Sequence, residues 1–169
     1  FYDLNDPNAA VDQIKQLLTQ DGILCVQVSY LYDTIRYMNF YDMCHEHLEY
    51  YSLKTLMYLF EKKGMEVFDA STNAVNGGSI RVMVSLKEAR RPISSNVEYL
   101  LLKEKVLQLE NPETYDTFSK LIRISTQRVG DYIKSQKGLV IGLGASTKGN
   151  VMLQLCKINN RIMPYISER

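Results

Sequence analysis

Between residues 138 and 167 the chain runs from an apolar strand through a glycine-rich turn into a helix, and out again to a second strand. Gly138 to Ile141 begins the first strand. Gly142-Leu143-Gly144-Ala145-Ser146-Thr147-Lys148-Gly149-Asn150 makes the turn, Asn150 to Cys156 the helix, and Arg161 to Ser167 the return strand. A strand, a helix and a strand in this order pack as a parallel pair joined by a crossover helix. This stretch therefore predicts an α/β arrangement, and it reads as the opening of a β-α-β series whose later strands are not in the sequence.

The residues before it carry a second α/β pattern. Val11, Ile14, Leu17 and Leu18 share one helical face, and Asp21-Gly22 ends that helix. Ile23 to Val28 is a continuous apolar, β-branched run, which suits a strand buried on both faces of a parallel sheet. Residues 31–51 read as irregular and rich in tyrosine. Ser52 is placed to cap a helix from Leu53 to Lys63, whose buried stripe is Leu53, Leu56, Met57 and Phe60. Gly64 stands where a left-handed terminating residue is wanted. Strands are predicted over 65–70 and 79–85, with Asn76-Gly77-Gly78 as the turn before the second. Ala89 to Ser95 is a polar connector broken by Pro92. Helices are predicted over 96–109 and 115–135, the second with Phe118, Ile122, Val129 and Ile133 at helical spacing.

Size and charge exclude some classes. A chain of 169 residues, 46% of them hydrophobic, can bury a sizeable core. With 20 Lys plus Arg against 19 Asp plus Glu, nothing points to nucleic acid or to a membrane surface as partner. No apolar run approaches the ~20 residues that span a bilayer, and no secretory leader pattern opens the chain. Cys25, Cys44 and Cys156 are widely spaced and odd in number, which fits a reducing, cytoplasmic setting better than a disulfide scaffold. The chain opens at Phe1 and closes just after a predicted strand, so it is expected to be a piece of a longer protein. Its oligomeric state is not legible.

The chain's two histidines, His45 and His47, flank Glu46 and follow Cys44. Three readings fit this cluster. Histidine titrates near pH 6.5 unaided, and a neighbouring carboxylate orients it and stabilises its protonated form, which suits a general base. Thiolate and imidazole also suit zinc, although no fourth ligand is evident nearby. The third reading is a polar loop with incidental histidines. The tyrosines around the cluster divide in the same way. Tyr37 reads as covering a core edge; Tyr41, Tyr50 and Tyr51 fit either a ligand pocket or a core edge with wet polar tips.

The turn at 142–150 has its own alternatives. A strand-to-helix turn presents backbone amides to phosphate, with Lys148 as a diphosphate partner and Glu168, ~20 residues on, near the place of a ribose-binding acid. Yet the third glycine falls at 149, outside the dinucleotide spacing, and Asn150 stands where a Walker loop needs lysine. A tight turn that simply needs small residues fits as well. On this turn alone, a nucleotide-cofactor dehydrogenase or epimerase is the alternative function; a non-catalytic zinc-binding or interaction protein is the other.

Taken together, Cys44-His45-Glu46-His47-Leu48-Glu49-Tyr50-Tyr51-Ser52, Asn76-Gly77-Gly78-Ser79-Ile80-Arg81 and Gly142-x-Gly144-Ala145-x-x-Lys148-Gly149-Asn150 resemble, in order and separation, the S-adenosylmethionine-dependent nucleotide-sugar C-methyltransferases. Typical members read Y-H-E-H, H-G-G-S-x-R and G-x-G-A-x-x-K-G-N. The resemblance covers nearly the whole chain. It implies an α/β fold in which residues 1–88 are the second half of a class I, Rossmann-like methyltransferase domain. Residues 89–137 would be a helical connector, and 138–169 the start of a second Rossmann-like domain that helps hold the nucleotide sugar. The helix from Leu53 and the strands at Met65 and Ser79 would be the last helix and closing antiparallel pair of the first domain. The glycine-rich S-adenosylmethionine loop and the zinc of the family's N-terminal module lie outside this sequence, so the three cysteines are not assigned to that zinc site. Residue for residue, His47 corresponds to the base that deprotonates the carbon beside a sugar ketone, and Glu46 to its supporting carboxylate. His45 matches a histidine for which hydrogen bonding is implied. Asn76, Gly77, Gly78, Arg81, Gly142, Gly144, Lys148 and Asn150 fall on substrate-binding motif positions. Cys44 replaces the family tyrosine, which removes a good hydrogen-bond donor, and Asn76 replaces a histidine.

Overall fold

The computed structural model describes residues 1–168. The chain forms two compact units, residues 1–39 with 46–111, and residues 40–45 with 112–168. No helix among the described residues is long and apolar enough to cross a membrane.

In the first unit, Asp6 caps α1 (Pro7–Leu17) by accepting from the Ala9 amide at 2.9 Å, and Pro7 supplies the preset φ of a first helical residue. Val11 is buried, but Leu17 is 85% exposed, so the predicted stripe fails at its last turn. Three strands follow: β1 (Leu24–Ser29), β2 (Met65–Asn73) and β3 (Ser79–Leu86), in the order β1-β3-β2. Both pairings are antiparallel. The expectation for residues 23–28 is thus corrected. Among the described residues the strand pairs only with β3, antiparallel to it; Val26 and Val28 point into the core, and Cys25 and Gln27 are exposed. An antiparallel sheet tolerates one solvated face, and the apolar run here conceals a period of two. Ile80, Val82 and Val84 of β3 extend the same buried face.

That face is covered by α3 (Leu53–Glu61) and α4 (Ser95–Leu107). Leu53, Leu56 and Phe60 are fully buried, with Val97 and Leu100 of α4 beside them in the same core. Ser52 caps α3 as its sequence predicts: its hydroxyl accepts from the Thr55 amide, and the Thr55 hydroxyl accepts from the Ser52 amide in return. Gly64 follows at φ +72°.

Residues 31–51 are more ordered than the tyrosine-rich sequence implies. Leu31–Arg36 is a short helix, α2, and Phe40–Asp42 is a 3₁₀ turn. The excursion closes on itself through a parallel bridge between Tyr30 and Tyr51, where the Leu31 amide donates to the Tyr51 carbonyl at 2.9 Å. Within this excursion, residues 40–45 belong to the second unit.

The second unit is built on α5 (Pro112–Lys134) and α6 (Thr147–Leu155), with β4 (Ile141–Leu143) and β5 (Tyr165–Ser167) pairing in parallel. The parallel β-α-β arrangement is the one its sequence predicts. The first strand starts three residues later than expected and the helix three residues earlier, because Ser146 caps α6 through the Gly149 amide at 3.2 Å. On α5, Phe118, Thr126 and Gly130 are buried, whereas Val129 is 37% exposed and turns away from the stripe assigned to it. Gly130 is needed for close approach, since a Cβ there would lie 2.5 Å from the Cys156 carbonyl oxygen.

Candidate functional site

The two halves of the Cys44–His47 cluster belong to different units. In the first unit, the His47 ring is half-buried and packs tilted against the Tyr2 ring, with centroids 4.6 Å apart. The Leu48 and Glu49 amides both donate to the Tyr2 carbonyl, at 2.8 and 3.2 Å. Tyr2, which carries no motif signal in the sequence, thereby fixes the backbone just after His47 as well as one side of its ring. Glu46 is exposed, and so is His45.

The Asn76-Gly77-Gly78 turn has a clear structural task. Asn76, Gly77 and Gly78 all take positive φ, at +54°, +88° and +136°. The Gly77 carbonyl accepts from Asn39 Nδ2 at 2.6 Å, and the Gly78 carbonyl accepts from the Tyr30 amide at 3.1 Å. A Cβ on Gly78 would stand 2.5 Å from Asp33 Cβ and Oδ2. The turn therefore clasps the start of the excursion that carries the histidines. Burial pushes the Asp33 carboxyl above its usual pKa, partly opposed by the charge of Lys103. Gly78→Ala is expected to destabilise the first unit by at least about 3 kcal/mol, from backbone strain and steric overlap together. Gly64→Ala, at φ +72° with only the flexible Lys15 tip nearby, is expected to cost about 1–2 kcal/mol. Urea unfolding of the two variants checks the difference.

Arg81 lies on the solvated face of the sheet and grips Gln27 Oε1 through Nε and Nη2 at 3.2 and 3.1 Å. Asn73 Nδ2 donates to the same oxygen at 3.1 Å. Gln27 is a member of this cluster that the sequence does not announce.

Glu104 of α4 is another. Only 5% exposed, it accepts from the Tyr30 hydroxyl at 2.9 Å and from the Leu53 and Lys54 amides at the start of α3, at 2.5 and 3.2 Å. Burial pushes its carboxyl above the ordinary range, against the opposing pull of these hydrogen bonds. The same burial, with the negative Glu104 beside it, raises the Tyr30 phenol. Tyr51 is a core residue, its hydroxyl buried without a hydrogen-bond partner among the described residues and its pKa pushed up to about 12 by desolvation, with Glu49 adding to the shift. Tyr50 is half-buried and Tyr37 64% exposed.

In the second unit, a cavity of about 570 Å³ opens between the 40–45 segment, α5 and α6. Cys44 and His45 line one wall; Thr147, Asn150 and Gln154 line another; Arg123 comes from α5. Among the described residues Arg123 makes no ion pair, and its guanidinium donates only a long 3.4 Å bond to Ser119 Oγ. The cavity thus brings together two residues expected from sequence, His45 and Asn150, and adds Arg123, which the helical pattern hides as one more exposed cation. Lys148 does not line it. Its ammonium lies 2.6 Å from Asp42 Oδ1 and 5.4 Å from the Tyr41 ring centroid.

The glycine-rich turn is partly closed on itself. The Ala145 amide donates to Glu168 Oε2 at 3.1 Å, the Gly144 amide to the Ser167 carbonyl at 2.7 Å, and the Gly149 amide to Ser146. Gly142 is small because Met163 and Ile166 press on it, and Gly144 takes φ +89°. Among the described residues, no three His, Cys, Asp or Glu side chains converge as a metal would require.

The family described as the C-methyltransferase C-terminal domain matches residues 74–169, more than half of the chain. The chain belongs to this C-methyltransferase family. It is also similar, at 29% identity over 171 aligned residues, to C-methyltransferase NovU of Streptomyces niveus. That alignment covers 99% of this chain and 41% of the relative, so the chain spans about two-fifths of the relative's length.

Proposed function

We propose that the protein, in its full length, methylates a carbon of a nucleotide-linked keto sugar, with His47 as the general base. The observation that carries this reading is the seating of His47. Its ring is held against Tyr2 and the following backbone is tied to Tyr2, inside a chain of the C-methyltransferase family. A ring held at one angle suits proton abstraction, because the acceleration depends on reach and alignment as well as on pKa. The order β1-β3-β2, with β3 antiparallel to both neighbours, agrees with residues 1–88 being the closing half of a methyltransferase sheet.

In this mechanism a ketone acidifies the proton on the adjacent carbon. The neutral imidazole of His47 takes that proton and becomes imidazolium, whose charge Glu46 helps to balance. The C–H electron pair moves into the enolate. S-adenosylmethionine, the family's general methyl donor, supplies an electrophilic methyl group when bound. The residues described do not by themselves fit that cofactor. The first unit has no glycine-rich strand-to-helix turn, since β1 passes into α2 through Tyr30 alone. Only the proton transfer is therefore assigned to groups of this chain. Fragment 1–169 alone is expected to lack turnover.

The second unit supplies an anion-compatible cavity. Arg123 is the cation at its wall, with Asn150 and Thr147 as neutral donors. Arg123→Ala in the full-length protein is expected to weaken uridine diphosphate binding by about 10- to 100-fold, the worth of a charge-assisted hydrogen bond. Calorimetric titration with uridine diphosphate reads this out, and unchanged affinity would remove the nucleotide from this cavity.

A further inference from the structure

Lys148 stands on the first turn of α6, where its sequence context offers it to a phosphate. Its surroundings give it other work. Asp42, at the end of the 3₁₀ turn Phe40–Asp42, has a side chain only 5% exposed, and its Oδ1 is fully buried. The close polar neighbour of that oxygen is Lys148 Nζ at 2.6 Å, an ion pair without a well-aligned hydrogen bond. A buried carboxylate left alone is strongly unfavourable. Moving the ammonium to a ligand phosphate would impose that penalty on Asp42. Lys148 also lies over the ring of Tyr41, so it engages two successive residues of the 40–45 segment.

From Asp42 the restraint runs along the backbone. The Met43 amide donates to the Phe40 carbonyl at 3.0 Å, and the Cys44 amide to the Asp42 carbonyl at 3.1 Å. Cys44 and His45 follow directly and line the cavity, whose opposite wall carries Asn150, two residues after Lys148. One ion pair therefore joins the segment that carries one wall to the helix that carries the other.

We propose that Lys148 is a positioning residue that acts through Asp42, latching the Phe40–His45 segment to α6 so that Cys44 and His45 are presented to the cavity, and that it is not a direct ligand of the substrate diphosphate. This rests on the methyltransferase reading above.

The test is a double-mutant cycle in the full-length protein, with Asp42→Asn, Lys148→Met and the pair combined. Both single changes are near-isosteric. Methyl transfer to a panel of keto sugars linked to uridine, thymidine, guanosine or cytidine diphosphate, and urea unfolding, are measured on each. A latch predicts that each single variant lowers kcat by about 100-fold, the effect of a small misplacement, with KM little changed. The double variant is predicted to recover the stability that Lys148→Met loses, because the buried Asp42 charge is then gone, while its kcat remains as low as either single variant. Lys148→Arg, which keeps the charge, is predicted to retain most of kcat. If kcat returns with stability in the double variant, the pair is merely structural and the proposal is overturned. It is overturned equally if Lys148→Met raises KM while Asp42→Asn leaves kcat intact, the pattern of a direct phosphate ligand. Absence of turnover in the unaltered full-length protein would instead overturn the parent reading, and this proposal with it.

Discussion

His47→Ala in the full-length protein is expected to lower methyl transfer by about 10²- to 10⁴-fold, the range a positioned general base supplies, while the methyl donor still binds. The expectation follows from the local geometry. The imidazole is half-buried against Tyr2, and the chain leaving it is anchored by two hydrogen bonds to the Tyr2 carbonyl. The ring is a small part of the first unit's packing, so its removal should leave the fold intact. Steady-state turnover beside equilibrium binding of the methyl donor separates loss of chemistry from loss of structure. Turnover retained by His47→Ala would exclude it as the base.

Glu104→Ala is expected to destabilise the first unit by about 2–5 kcal/mol. The change strands the buried Tyr30 hydroxyl and the Leu53 amide, each worth ~1–3 kcal/mol when left unpaired, and removes a second amide acceptor at the start of α3. Its pH signature has a definite sign. Burial raises the folded-state pKa of Glu104 above the ordinary 4.5. The group's proton-linked contribution is then complete below 4.5 and is lost as pH rises from there through the folded value. Urea unfolding from acid to neutral pH should show this falling component in the unaltered protein and not in Glu104→Ala. An identical pH dependence in both would mean that Glu104 does not titrate abnormally.

The sequence was most legible where a residue acts on its immediate neighbours. Ser52 declares a helix start because its partner, Thr55, is three residues away, and Gly64 declares the end because its own backbone demands positive φ. The parallel pairing of β4 and β5 follows from the order strand, helix, strand. Pairings over long separations have no such signature. Glu104 meets Tyr30 across 74 residues, and a single glutamate amid the charges of α4 looks like any solvated one. Asp42 and Lys148 are more remote still, so nothing in the sequence announces their ion pair. Residues 23–28 mislead differently: their unbroken apolarity suggests two covered faces, yet Cys25 and Gln27 are exposed and the strand is antiparallel to its neighbour. In the second unit, His45 and Asn150, both singled out by motif, line the cavity, while Arg123 beside them emerges only once the chain is folded; in the first unit the same is true of Tyr2 against His47.

Exchange of solvent deuterium into the carbon beside the ketone tests the central claim most directly. The full-length protein is incubated in heavy water with a uridine-diphosphate-linked keto sugar, the methyl donor withheld, and incorporation is followed by proton NMR. Exchange well above the spontaneous rate in the unaltered protein, falling to that rate in His47→Ala, is the predicted result. Equal exchange in the two proteins would contradict it.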